Sequence, residues 1–114
     1  MNIKRGGVYL AALDPVIENE ISKTRPAVVI SNDKNNEFSG TVTVIPITSK
    51  RLKKIYPFET LINKGTGNLP KDSKAKADQI RTLDKKRLVK FIGILEGIEL
   101  KQIEKAIKIH LALF

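Results

Sequence analysis

The hydrophobic period of this 114-residue chain changes once, at Gly97. Before it, apolar residues come in short β-branched runs separated by glycine, proline and asparagine. After it, Leu100, Ile103, Ala106, Ile107, His110 and Leu111 recur at helical spacing, with charges between them. Several short strands at close spacing, followed by one amphipathic helix, predict a mainly β (α+β) fold built as a small barrel. No linker, repeat or low-complexity segment divides residues 1–114, and the length suits one domain with a core of its own.

The strand pattern reads as follows. Gly7 to Leu13 is a first strand closed by Pro15, and Val16 to Lys23 is a long polar loop. Pro26 to Ser31 is a short continuous apolar run, as expected of a buried strand. Asn32-Asp33-Lys34-Asn35-Asn36 is a turn by composition. Thr41 to Ile47 places β-branched residues on both faces, a strong strand signal. Pro46 cannot donate to a ladder, so that strand lies at an edge or bulges there. Ser49 to Ile55 is a basic loop, Tyr56 to Ile62 a strand, and Asn63 to Asn68 a turn in which glycine supplies positive φ. Ser73 to Leu83 reads as one longer strand, Asp84 to Arg87 as a helical turn, and Val89 to Leu95 as the last strand.

Several chemistries are excluded or disfavoured. With no cysteine there is neither a disulfide nor a thiolate nucleophile, which fits a reducing cytoplasm. No apolar run spans a membrane, and the first 13 residues only faintly imitate a signal peptide, since Asp14-Pro15 stands where small residues should be. Asp72, Asp78 and Asp84 are too scattered for a tight acidic metal site, and the lone His110 excludes any two-histidine mechanism. Lys64-Gly65-Thr66-Gly67-Asn68 lacks the ending of a phosphate-binding loop, so no nucleotide cofactor follows from it.

What remains is charge and two strand ends. The net charge of +9 suits a polyanionic partner, either nucleic acid or an acidic protein, although a merely solvated lysine-rich surface gives the same sum. Lys23, Arg25, Lys50, Arg51, Lys53 and Lys54 fall in two loops, beside Thr24-Arg25-Pro26 and Ile45-Pro46-Ile47-Thr48-Ser49-Lys50. RNA carries its own nucleophile, the 2′-hydroxyl. A protein need only align it with the phosphate and offset the charge of the transition state. An arginine fork matches phosphate oxygens, and a threonine hydroxyl adds one donor. By themselves, however, Arg25 could be a solvated cation and Thr48 a turn residue.

Four segments in order carry a further signal: Arg5 to Pro15, Thr24 to Ile30, Ile45 to Lys50, and Asp78-Gln79-Ile80-Arg81-Thr82-Leu83-Asp84 to Leu88. Together they closely resemble the MazF/PemK family of toxin endoribonucleases, from Arg5 to about Leu113. The resemblance implies an SH3-like barrel of the MazF/PemK/CcdB type with a C-terminal helix. It implies Arg25 and Thr48 as the catalytic pair, with no metal or other cofactor. It further implies a homodimer that cuts single-stranded RNA to 2′,3′-cyclic phosphate and 5′-hydroxyl ends, and a small antitoxin with an acidic carboxyl-terminal region. Glu20, Ser22, Lys23, Thr24, Ser49, Lys50, Arg51, Lys53, Lys54, Asp78 and Gln79 are the RNA-binding candidates by position. Two places depart from the family pattern: Gly7, where an acidic residue is common, and Glu20-Ile21-Ser22-Lys23, where glycine is common. A related toxin class of the same fold acts on gyrase through a tryptophan near the carboxyl end. This chain has no tryptophan and ends Leu111-Ala112-Leu113-Phe114. A non-catalytic RNA-binding barrel would explain the charge, but not Arg25 and Thr48 together.

Overall fold

The computed structural model describes residues 2–114. β1 (Gly7–Ala12), β2 (Thr24–Val29), β3 (Thr41–Thr48), β4 (Glu59–Ile62), β5 (Ser73–Lys76), β6 (Arg81–Asp84) and β7 (Leu88–Ile94) form one antiparallel sheet. Its strand order is β4-β5-β3-β2-β1-β7, with β6 also on β3. The helices are α1 (Asp33–Phe38) and α2 (Ile98–Leu111). β4 and β7 end the path and do not pair, so the expected barrel curls without closing.

β3 organises the sheet. One edge takes β2 through Ala27–Pro46, Val28–Ile45 and Val29–Val44. The other edge takes β6 along Thr41 to Val44 and β5 along Ile47 and Thr48. The segment read as one strand from Ser73 to Leu83 is therefore broken, by a tight 3₁₀ turn at Ala77–Gln79. Pro46 lies in the gap between those two ladders. The residue without an N–H thus sits where the partner leaves the sheet, and β3 stays central.

The apolar runs are continuous because both faces of β1, β2 and β3 are covered. Val8, Val28, Ile45 and Ile47 point to one side, into a cluster with Ile62, Ala75, Ile103 and Ala106. Tyr9, Ala11, Ala27, Val29, Val42 and Val44 point to the other, with Leu83, Leu88 and Ile3. α2 contributes Ile103 and Ala106 to the first cluster, and its exposed face carries Lys101, Lys105 and Lys108. Truncating a fully buried isoleucine such as Ile103 to alanine costs about 2–5 kcal/mol.

Local departures have local causes. The Asn32 turn becomes α1, because the Asn32 side chain caps it by accepting from the Asn35 amide at 2.8 Å. Tyr56–Phe58 turns rather than pairs, and β4 begins only at Glu59. Gly7 has no space for the acidic residue common at that place: a Cβ there would lie 2.9 Å from the Tyr9 ring and 3.0 Å from the Lys4 carbonyl. Gly93 lets β7 run against the Gly67 carbonyl, and the Asn68 side-chain Nδ2 donates to Ile92 O at 3.1 Å in the same crossing.

Candidate active site

The β2–β3 register fixes the geometry. The ladder ends at Ala27 opposite Pro46, and Arg25 and Thr48 each lie two residues beyond that last pair on their own strands. Two residues along both strands restores the same face. Two segments separated in sequence thus deliver their side chains to one open concavity of about 410 Å³. The loop residues Glu18 to Ser22 form one wall, and Lys50, Arg51, Lys74, Lys76 and Gln79 complete the lining.

Arg25 is half-buried, and its Nε donates to Ser22 O at 3.3 Å. That bond leaves both terminal nitrogens of the fork available to an anion. Thr48 Oγ1 accepts from the Lys50 amide at 3.1 Å. Since its oxygen is the acceptor there, the hydroxyl proton remains available to a ligand. Among the described residues, Arg25, Lys50 and Arg51 have no carboxylate partner, whereas Lys74 and Lys76 are both paired with Glu59.

The wall formed by the β1–β2 loop is tied down by Gln79. Its Oε1 accepts from the Ile21 amide at 3.0 Å and its Nε2 donates to Asn19 O at 3.1 Å. Arg81 in turn donates to Gln79 Oε1 at 3.1 Å. Glu20 folds back on its own loop, accepting from the Ile17 amide at 2.6 Å. Gln79 and Glu20 therefore shape the concavity as well as line it.

The opposite wall depends on a buried ion cluster that sequence reasoning missed. Lys74 Nζ donates to Glu59 Oε1 at 3.0 Å, to Arg51 O at 3.0 Å and to Lys54 O at 3.2 Å. All three of its protons are thereby used. Both side chains are almost fully buried, at 4% and 1% exposure for Lys74 and Glu59. Lys76 approaches the other Glu59 oxygen at 3.3 Å, and the Tyr56 amide donates to Oε1 at 3.0 Å. Burial pushes the Glu59 carboxyl up, but the Tyr56 amide and the two ammonium groups outweigh it and hold the carboxyl below its ordinary range. This cluster holds Arg51 at φ 56, a left-handed conformation unusual for arginine, at the mouth of the site. Alternating Lys-Ala-Lys-Ala at 74–77 gives no sign of it, because a strand lysine ordinarily faces water.

The other candidates lie farther out. Ser49, Lys53 and Lys54 line a shallow neighbouring depression, which shares Arg51 with the concavity. Lys23 and Thr24 are exposed at the start of β2 and do not line the concavity. Lys23 instead holds a left-handed turn, with its carbonyl accepting from the Leu13 amide at 2.9 Å. Asp78 is half-buried and outside the lining, and its Oδ1 is buried without a hydrogen-bond partner. Ser22, Glu20, Lys50, Arg51 and Gln79 are gathered around Arg25 and Thr48.

This geometry can be set beside known proteins. Over 117 aligned residues the chain is 40% identical to the Mycobacterium tuberculosis protein named endoribonuclease MazF9, covering 98% of each. The crystal structure of MazF from Deinococcus radiodurans superposes with a TM-score of 0.85 at 24% identity, over 99% of both chains. A mycobacterial endoribonuclease in complex with its cognate antitoxin superposes with a TM-score of 0.81 at 23% identity, over 98% of this chain and 97% of that one. Those two structures share the fold. The family described as PemK-like, MazF-like toxin of type II toxin–antitoxin system matches residues 4–111, nearly the whole chain. With Arg25 and Thr48 gathered at one basic concavity of that fold, the chain belongs to the PemK-like, MazF-like family of type II toxin–antitoxin toxins.

Proposed function

We propose that this chain cuts single-stranded RNA by metal-independent transfer of the phosphate to the neighbouring 2′-oxygen, with Arg25 and Thr48 at the reacting phosphate. It is a MazF-type toxin endoribonuclease of a toxin–antitoxin system. The single observation that carries the chemistry is the meeting of Arg25 and Thr48 in one concavity where Arg25, Lys50 and Arg51 lack carboxylate partners among the described residues.

In this reaction a bond forms between the 2′-oxygen and phosphorus, and the bond from phosphorus to the 5′-oxygen breaks. The 2′-hydroxyl loses its proton and the departing 5′-oxygen gains one. The products carry a 2′,3′-cyclic phosphate and a 5′-hydroxyl. Negative charge gathers on the non-bridging oxygens midway. Arg25 meets that charge with two parallel donors, in a fork already oriented by Ser22 O. Thr48 adds a third donor on the same side. Lys50 and Arg51 attract the strand on either side of the reacting phosphate. Among the described residues no three His, Asp or Glu side chains lie close enough to hold a metal ion, so the residues fit charge stabilisation by side chains.

An unpaired strand suits the open groove, because unstacked bases expose their edges to Glu20, Ser22 and Gln79. Two copies of the chain acting together would extend that groove. The partner that restrains the enzyme is a small antitoxin whose acidic carboxyl-terminal segment orders on the basic surface and excludes RNA. No helix among the described residues is long and apolar enough to cross a membrane.

The test is Arg25→Ala with a short unstructured RNA. Cleavage is expected to fall on the order of a hundredfold or more, while the melting temperature and RNA binding stay close to wild type. Near-normal cleavage would remove Arg25 from the reaction.

A further inference from the structure

Aromatic residues are scarce here, at two tyrosines and four phenylalanines, yet two of them form a stack on the surface. Tyr56 and Phe58 lie parallel within 10°, with ring centroids 5.4 Å apart. Tyr56 is 43% exposed, and the Lys54 ammonium sits 4.8 Å over its ring. His110, from the last turns of α2, tilts against Phe58 at 6.2 Å. We propose that this stack is an RNA subsite: an unpaired base flanking the cleaved phosphate stacks on Tyr56, and Lys54 moves from the ring to the adjoining phosphate. The inference rests on the ribonuclease reading given above.

Three observations favour a base as the occupant. The first is continuity of charge. Arg51 lines both the catalytic concavity and the neighbouring depression, and Lys53 and Lys54 carry the basic surface on to Tyr56. A strand bound at Arg25 and Thr48 therefore meets cations all the way to the aromatic pair. Single-strand binders combine a cationic track with aromatic faces in this manner.

The second is rigidity. Tyr56 is fixed at both backbone groups, its amide donating to Glu59 Oε1 at 3.0 Å and its carbonyl accepting from the Glu59 amide at 2.9 Å. Glu59 is itself held by buried Lys74, which also anchors the carbonyl of Lys54 at 3.2 Å. The stack and its lysine thus share one buried anchor with Arg51 of the active site. A prearranged platform loses little freedom when a base lands on it.

The third is the state of the ring. A lysine held over an exposed tyrosine is a weak, replaceable contact on a flexible stem. The Tyr56 ring thus meets a cation in Lys54 and a flat ring in Phe58, the two kinds of neighbour that an RNA-binding aromatic uses. A base replacing Lys54 keeps the stacking contact and frees the ammonium for a phosphate.

The experiment compares wild type with Tyr56→Leu and Tyr56→Trp. Each variant is checked for melting temperature and for molecular mass by light scattering. Cleavage kinetics use a set of short RNAs in which one nucleotide at a time near the cut is made abasic. Tyr56→Leu is expected to raise KM about tenfold, with the smaller share of the loss in kcat, and Tyr56→Trp to restore it. One abasic position should raise the wild-type KM by a similar factor and add nothing to Tyr56→Leu. An unchanged KM in Tyr56→Leu, or abasic penalties that simply add at every position, would overturn the subsite. So would a Tyr56→Leu protein that binds RNA normally but loses its mass as an oligomer or escapes an acidic antitoxin peptide. Wild type that cuts none of the RNAs would instead sink the ribonuclease reading itself.

Discussion

At the residue scale, Arg25 and Thr48 contribute unequally. Arg25 offers a charged, two-pronged contact and Thr48 a single neutral one. Arg25→Lys keeps the charge but loses the fork, so cleavage should drop well below wild type yet stay above Arg25→Ala. Thr48→Ala should cost less than Arg25→Ala. Single-turnover rates on one short RNA give the order, and Thr48→Ala slower than Arg25→Ala would reverse the assignment. The residues alone did not single out this pair, which could have been a solvated cation and a turn residue; it was named from the resemblance of four ordered segments to a toxin family, and the fold lines one concavity with both side chains. Gln79 was legible only as a position. Its role as a tether depends on Asn19 and Ile21, some sixty residues away in the chain, and no local pattern encodes that. Asp78 shows the same limit: the motif names it, and the turn directs it away from the concavity.

At the scale of elements, the β3–β4 connection depends on Glu59 and Lys74 more than on its own sequence. Glu59 has its carboxyl held below the ordinary glutamate value of 4.5. A depressed folded value contributes stability that is fully present above the unfolded value and is lost as pH falls through the folded one. Melting temperature should therefore show a Glu59-dependent decline only on the acid side of about pH 4.5. Glu59→Gln should be less stable than wild type at neutral pH, and the difference should shrink with acidification. A constant gap from pH 7 down to pH 3 would contradict the ion cluster. Removing Lys74 instead leaves a buried carboxylate with only Lys76 for a charged partner, a change that typically costs about 3–5 kcal/mol. The strands from Gly7, Pro26, Thr41 and Val89 were readable within a residue or two, because both faces of the first three are covered and the runs are continuous. The break at Ala77–Gln79 and the helix at Asp33–Phe38 were not. A three-residue turn inside a strand and a six-residue helix are too short to impose a period.

At the scale of the whole molecule, charge and curvature act together. Of the net charge of +9, the part that bears on the site is Arg25, Lys50 and Arg51, which line the concavity with no ion pair among the described residues. RNA binding by the inactive Arg25→Ala protein should weaken steeply with salt, roughly fiftyfold between 50 and 200 mM for about four phosphate contacts. A flat titration would move the basic loops out of the RNA path. The sequence conveyed the antiparallel, mainly β architecture and the terminal helix. It did not convey that the sheet stays open between β4 and β7, since closure depends on strand tilt and shear, which no single segment records. The transesterification itself is tested most directly by end-group analysis of a long unstructured RNA, incubated with purified protein in excess chelator at neutral pH. Undiminished cleavage, with 2′,3′-cyclic phosphate and 5′-hydroxyl ends, is the expected result. Activity that vanishes in chelator and returns with magnesium, or fragments bearing 5′-phosphates, would contradict catalysis by Arg25 and Thr48 alone.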